Sequence, residues 1–142
     1  MEFREFTLEE KGIITFLLHA ANMGEGYISK FFAETGCMDM DDGGMGSIRF
    51  VPRDNVMSVD NRRFGGEVSA CSFTDEDGVL VSVALYVDTS GCPFELDVWK
   101  VDFSPLIRMP SDNKEFVLDT RVGVKEYNQG VVSQSCCDAT IG

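Results

Sequence analysis

Apolar side chains recur along this chain with two different periods, and the change of period outlines the fold. Leu8, Ile13, Ile14, Phe16, Leu17, Leu18, Ala20 and Ala21 form a broad stripe at helical spacing. Thr7, followed three residues later by Glu10, makes a capping box at its start: the hydroxyl can accept from an exposed backbone N–H while the carboxylate reaches back to the cap. Asn22 to Gly26 ends this helix, and YISKFFAE (27–34) predicts a second, shorter one. In GVLVSVALYV the period drops to two, with Val79, Val81, Val83, Leu85 and Val87 on one face. Residues 66–103 therefore predict two consecutive hairpins, turning at Asp77-Gly78 and Ser90-Gly91. The first turn places Thr74, Ser72, Ala70 and Val68 opposite the valine face. The second pairs Val87 with Phe94, Leu85 with Leu96 and Val83 with Val98. A one-residue slip would turn these side chains to water, so agreement of facing on both sides of the strand argues for the register.

The expected fold is α+β, with an N-terminal helix or helix pair packed on one face of a mainly antiparallel sheet of about four to five strands. CMDMD and SIRFV add two strands, joined by the glycines between them, and VLDTRVGVKEY predicts an edge strand. SPLIRMP interrupts the strands with two prolines, and NQGVVSQSCCDATIG resembles a loosely held tail. One domain spans residues 1–142, with a compact core over 1–110 and an extension over 111–142.

On the sheet face away from the helices this pattern gathers Glu67, Ser69, Ser82, Ala84, Tyr86, Glu95, Asp97, Trp99 and Val101. Exposed rings among carboxylates suit a patch that anchors in a pocket and steers a basic partner. The competing expectation is that the C-terminal segment folds back and buries Trp99 and Tyr86. Glu95 and Asp97 also lie within reach of each other, as a carboxylate pair for glycoside hydrolysis would, although solvated strand acids are the commoner case.

Net charge changes the picture more than composition does. At −12 for 142 residues, the chain repels nucleic acid phosphates and anionic membranes and favours a basic partner. Residues 1–42 and 64–110 each carry a net −6, whereas 43–63 carry four arginines, Arg49, Arg53, Arg62 and Arg63, against two aspartates. Internal pairing of those arginines with the acidic flanks is the expected use.

The stretch MDMDDGGMGSIRF (38–50) is the one loop with the composition of a site. Asp39, Asp41 and Gly44 fall on the first, third and sixth positions of a calcium-binding EF-hand loop, but Gly43 and Phe50 stand where the fifth and twelfth ligands belong. No Gly-Lys-Ser/Thr follows, so a phosphate loop is excluded. A hairpin turn fits best, and a small-molecule- or metal-responsive domain using Asp39, Asp41 and Asp42 is the alternative function. His19, the single histidine, sits on the apolar helix and is expected at its packed side or rim. Five cysteines without regular spacing (Cys37, Cys71, Cys92, Cys136, Cys137) suggest reduced thiols. With acids where a secretory leader would be basic and then apolar, MEFREFTLEEKG adds to the expectation of a cytoplasmic protein. No catalytic centre, metal or cofactor is expected.

Three stretches, FTLEEKGIITFLL, MDDGGMGSIRF and FELDVWKVDFSPL, together resemble a family of small bacterial cytoplasmic proteins without an assigned enzymatic activity, over about residues 3–110. Some relatives are similar to immunity proteins of contact-dependent growth inhibition and other polymorphic toxin systems. The resemblance implies a non-catalytic inhibitor that occludes a toxin domain with a basic surface, a nuclease being one example. Glu95, Asp97, Trp99 and Tyr86 are the first candidates for partner contact, and Asp39, Asp41 and Asp42 the second.

Overall fold

A computed structural model describes residues 2–54, 62–120 and 132–133. The order of elements is β1 (Phe3–Arg4), α1 (Leu8–Ala20), α2 (Glu25–Glu34), β2 (Thr35–Asp39), β3 (Ile48–Pro52), β4 (Phe64–Thr74), β5 (Leu80–Asp88), β6 (Pro93–Lys100), a 3-10 turn (Asn113–Glu115) and β7 (Val117–Leu118). The strands form one sheet in the order β1-β2-β3-β6-β5-β4-β7, and each neighbouring pair is antiparallel. The α+β architecture with two N-terminal helices is as expected. Among the described residues the seven strands exceed the expected four to five through β1 and β7, edge pieces of two residues each that carry no periodicity of their own.

Helix α1 starts where its cap dictates: Thr7 Oγ1 accepts from the Glu10 N–H (3.1 Å), and Glu10 Oε1 accepts from the Thr7 N–H (2.9 Å). Its buried stripe, Ile13, Ile14, Leu17 and Leu18, meets Val81, Val83, Leu85, Leu96 and Val98 of the sheet in one core. Four rings, Phe6, Phe31, Phe32 and Phe50, close that core beneath α2 with centroids 5.3–6.0 Å apart.

The register of β4 against β5 differs by one residue from the expectation. Phe73, Cys71 and Ser69, not Thr74, Ser72 and Ala70, stand opposite Val81, Val83 and Leu85. The turn is the cause. Asp75 N–H donates to Val79 O and Gly78 N–H to Asp75 O, both at 2.9 Å, with Gly78 at φ +81°, so the loop takes one residue more than a two-residue turn. Glycine tolerates that left-handed position without penalty. Ser69 therefore faces the helices, where its hydroxyl donates to Leu17 O (2.8 Å), which corrects its assignment to the other face. An irregularity between Glu67 and Ser69 then returns Glu67 to the side of Tyr86. The β5–β6 turn has the same form, with Gly91 at φ +82°. Val83 pairs with Val98 and Leu85 with Leu96 as expected, while a shift beyond Tyr86 sets Val87 against Pro93 and not Phe94.

At the last residue of β6 a charge enters the core. The Lys100 side chain is fully buried, and its ammonium donates to Asp75 Oδ2 (2.9 Å), Asp77 Oδ2 (2.6 Å) and Pro105 O (3.2 Å). Asp75, also buried, accepts the N–H groups of Glu76 (2.8 Å), Ile107 (2.8 Å) and Arg108 (3.1 Å). Burial alone would raise its pKa, but the backbone donors and the ammonium outweigh it and hold the carboxyl at about 2. Burial likewise opposes the Lys100 charge, and the two aspartates more than offset it, leaving its pKa above the ordinary lysine value. Replacing Asp75 with alanine takes from that ammonium the buried one of its two carboxylates and leaves three backbone N–H groups without their acceptor, so Asp75→Ala should lose roughly 3–5 kcal/mol in urea unfolding. Because the folded-state pKa of Asp75 lies below its unfolded value, its contribution is complete above about pH 4 and disappears as the pH falls towards about 2. Parent and Asp75→Ala melting temperatures should therefore converge over that interval.

Candidate functional site

Period-two alternation and the observed pairings set out the sheet face away from the helices in three rungs. Glu67, Tyr86, Glu95, Arg49 and Met38 form the first, across five strands. Ala70, Ala84 and Asp97 form the second. Val117, Ser72, Ser82 and Trp99 form the third.

The candidate residues fare differently along it. Glu95, half-buried, is ion-paired with Arg49 (3.3 Å), whose guanidinium also lies 4.3 Å from the centre of the Phe94 ring. Arg62 also lies over that ring, 5.2 Å from its centre, and donates to Asp88 Oδ2 (2.8 Å), Phe50 O (3.0 Å) and the Pro93 carbonyl. Arg53 pairs with Glu5. Three of the four arginines thus meet internal acids, as the charge pattern suggests, and Glu95 on the outer face is neutralised by Arg49.

The Asp97 end is different. Asp97 is half-buried, and burial is the main cause of a pKa above the ordinary aspartate value. The nearby Asp42 charge adds to that rise, and a hydrogen bond from the Tyr86 hydroxyl partly opposes it. Among the described residues no ion pair reaches Asp97. One residue farther along that face of β6, Trp99 is 44% exposed and lies 6.0 Å from the ring of Phe103, which is 69% exposed. Tyr86 is half-buried and meets Phe64 edge-on at 4.9 Å.

The three aspartates of the 38–50 stretch do not converge. Asp39 belongs to the other side of the sheet edge, where Arg4 donates to it (2.7 Å) and bridges it to Glu10 (2.9 Å), and that bond lowers the Asp39 pKa. Asp42 spends its oxygens on the loop, accepting from the Met45 N–H (3.1 Å) and the Ser47 N–H (2.8 Å). Ser47 in turn ties the loop to β6: its Oγ accepts from the Val98 N–H (2.8 Å) and donates to Val98 O (3.2 Å). Asp41 is exposed in the same loop. The stretch is a braced hairpin turn that delivers the Asp42 charge beside Asp97, and its acids form no single ligand set. Among the described residues no group of three or more His, Cys, Asp or Glu side chains is placed to hold a metal ion.

His19 takes a rim position at the end of α1, 2.9 Å from Glu25. Cys37 and Cys71 are free and buried, and burial pushes both thiols up to about 12, far from a reactive thiolate. Cys92, by contrast, is disulfide-bonded, which corrects the expectation of wholly reduced thiols at that position and removes that support for a reducing compartment. Cys136 and Cys137 lie outside the described residues, as does the end of the expected edge strand beyond residue 120.

Sequence reasoning missed Phe103. Strand alternation runs out at Lys100, and only the turn that follows brings this ring beside Trp99: the Phe103 N–H donates to Lys100 O at 2.9 Å.

The chain belongs to the family described as Domain of unknown function (DUF6984), whose model matches residues 3–110. That span contains both helices and β1 to β6, and β7 lies outside it. No curated protein and no solved structure matches the chain. Among the described residues no helix is long and apolar enough to cross a membrane.

The position of Asp97 carries a measurable consequence. A carboxyl whose folded-state pKa is raised stabilises the fold only while protonated, below its unfolded pKa, and that contribution is lost as the pH rises through the folded value. Asp97→Asn keeps an acceptor for Tyr86 without the charge. It should melt above the parent at pH 7, with the difference closing as the pH falls through the range in which Asp97 protonates.

Proposed function

We propose that this chain is a non-catalytic, immunity-type protein that binds a bacterial toxin domain with a basic surface and neutralises it by occlusion. The single observation that carries this reading is the pairing of a half-exposed Trp99 with the half-buried, unneutralised Asp97 on the outer sheet face. A large ring that the fold leaves in water is a natural anchor for a pocket on a partner. A partly desolvated carboxylate with a second acid beside it gains most from an incoming lysine or arginine. The net charge of −12 supplies long-range attraction and would let the protein compete with nucleic acid for a basic cleft. The resemblance of FTLEEKGIITFLL, MDDGGMGSIRF and FELDVWKVDFSPL to immunity-like relatives points the same way.

Within this reading the contact residues divide. Trp99 and Asp97 lead, Asp41 and Asp42 add charge at the rim, and Tyr86 acts mainly by holding Asp97. Glu95 and Asp39 contribute least, since each already has an arginine.

The test begins with the neighbouring reading frame, where this reading expects a secreted protein with a variable C-terminal domain. Expressing that domain should arrest growth, and co-expressing this chain should restore it, through an interface on the order of 1,600 Å². Trp99→Ala should weaken the complex by at least about 2 kcal/mol, roughly 30-fold in Kd, with the melting temperature of the free protein little changed. Growth arrest that persists despite a soluble, folded partner would overturn the proposal.

A further inference from the structure

We infer that Trp99 and Phe103 form a preset two-ring wedge, and that the surface around them receives a polypeptide segment alternating apolar side chains with lysine or arginine. This deepens the reading above and rests on the same outer face, but its centre is a residue outside the predicted patch.

Phe103 adopts φ +66°, a left-handed conformation that a bulky L-residue rarely enters and that glycine or asparagine would adopt more readily. The fold gains little in return, because the ring is 69% exposed. A strained residue persists when its surroundings overdetermine it, and here they do. On one side Lys100 is locked by Asp75 and Asp77; on the other Asp102 Oδ1 accepts from both the N–H (3.0 Å) and the hydroxyl (2.6 Å) of Ser104, and Pro105 O returns to the Lys100 ammonium. The turn is clamped at both ends, and what it displays is an aromatic ring in water.

The wedge does not stand alone. Leu80, Val101 and Val117 are all exposed around it. The pairing from Val117 through Ser72 and Ser82 to Trp99 sets two small side chains between two larger apolar ones on this face, and the Val101 N–H donates to Leu80 O (3.0 Å) beside them. Apolar patches of this kind on an otherwise charged surface mark contact sites.

Charge selects the occupant. Next along the face lie Asp97 and Asp42, with no cation among the described residues against Asp97. A second copy of this chain would bring the same pair of acids and another −12 to the contact, and an anionic membrane would be repelled for the same reason. A basic, partly apolar polypeptide supplies what both halves of the surface lack.

The chain has one tryptophan, so its emission reports this spot directly. Titration with a synthetic amphipathic leucine–lysine peptide should shift Trp99 emission to the blue and saturate, whereas tetralysine, a neutral leucine–serine peptide and phosphatidylcholine–phosphatidylserine vesicles should not. Phe103→Gly should melt at or above the parent temperature, because the left-handed strain is relieved, and should bind the peptide at least about tenfold more weakly. The inference is overturned by an unshifted emission, by equal affinity of Phe103→Gly, by a lower melting temperature of that variant, or by a concentration-dependent shift without peptide that signals self-association. Peptide binding without protection from the neighbouring toxin domain would remove the immunity reading and leave this surface. A toxin complex indifferent to Phe103→Gly would do the reverse.

Discussion

A positive charge sealed at the end of the central strand organises the end of the sheet that displays Trp99 and Phe103. β6 is apolar on its inner face until Lys100, and an ammonium there, fully buried, has to be surrounded by acceptors or the sheet cannot close over it. Asp75 and Asp77 come from the β4–β5 turn and Pro105 O from the segment after β6. Meeting this one requirement pins a hairpin turn and a crossing loop to the same point, and Asp75 extends the tie to the N–H groups of Ile107 and Arg108. The tight turn at 100–103, and with it the display of Phe103, follows from that knot.

Elsewhere the charges are used more conventionally. Arg4 gathers Glu10 and Asp39 across the sheet edge, Arg53 takes Glu5, Arg62 takes Asp88 and Arg49 takes Glu95. The Arg4–Asp39 and Arg53–Glu5 pairs are well exposed and individually contribute little to stability, whereas Arg62–Asp88 is largely buried. Their larger effect is on the distribution of charge. With Arg49 committed to Glu95, Asp97, near the Asp42 charge, is left without an ion pair among the described residues, on the face that carries the exposed Trp99. A strongly acidic chain thereby carries an unpaired carboxylate beside two exposed rings.

Much of this was legible beforehand, because local physics had no competitor. The capping box started α1, the apolar stripe of α1 found the valine face of β5, and the pairs Val83–Val98 and Leu85–Leu96 followed from alternation on both strands. Facing alone also placed Tyr86, Glu95, Asp97 and Trp99 together on one side. The misassignments arose where a single extra residue carries the information. Glycine at the left-handed position of the Asp75–Gly78 turn moved the β4 register by one, exchanging Ser69 for Ala70 at the helices.

What the sequence by itself determined, then, is the set of elements, their inner faces and the sign of the charge, since these depend on spacing and composition within a few residues. Tertiary structure alone decided which acids are neutralised, because Arg49 and Glu95 are 46 residues apart and meet only through the β3–β6 pairing. It also decided that Asp39 serves Arg4 and not the outer face, that Asp42 approaches Asp97, and that Phe103 stands beside Trp99. Each of these is a meeting of distant or turn-directed groups, and neither periodicity nor residue type encodes the geometry that brings them together.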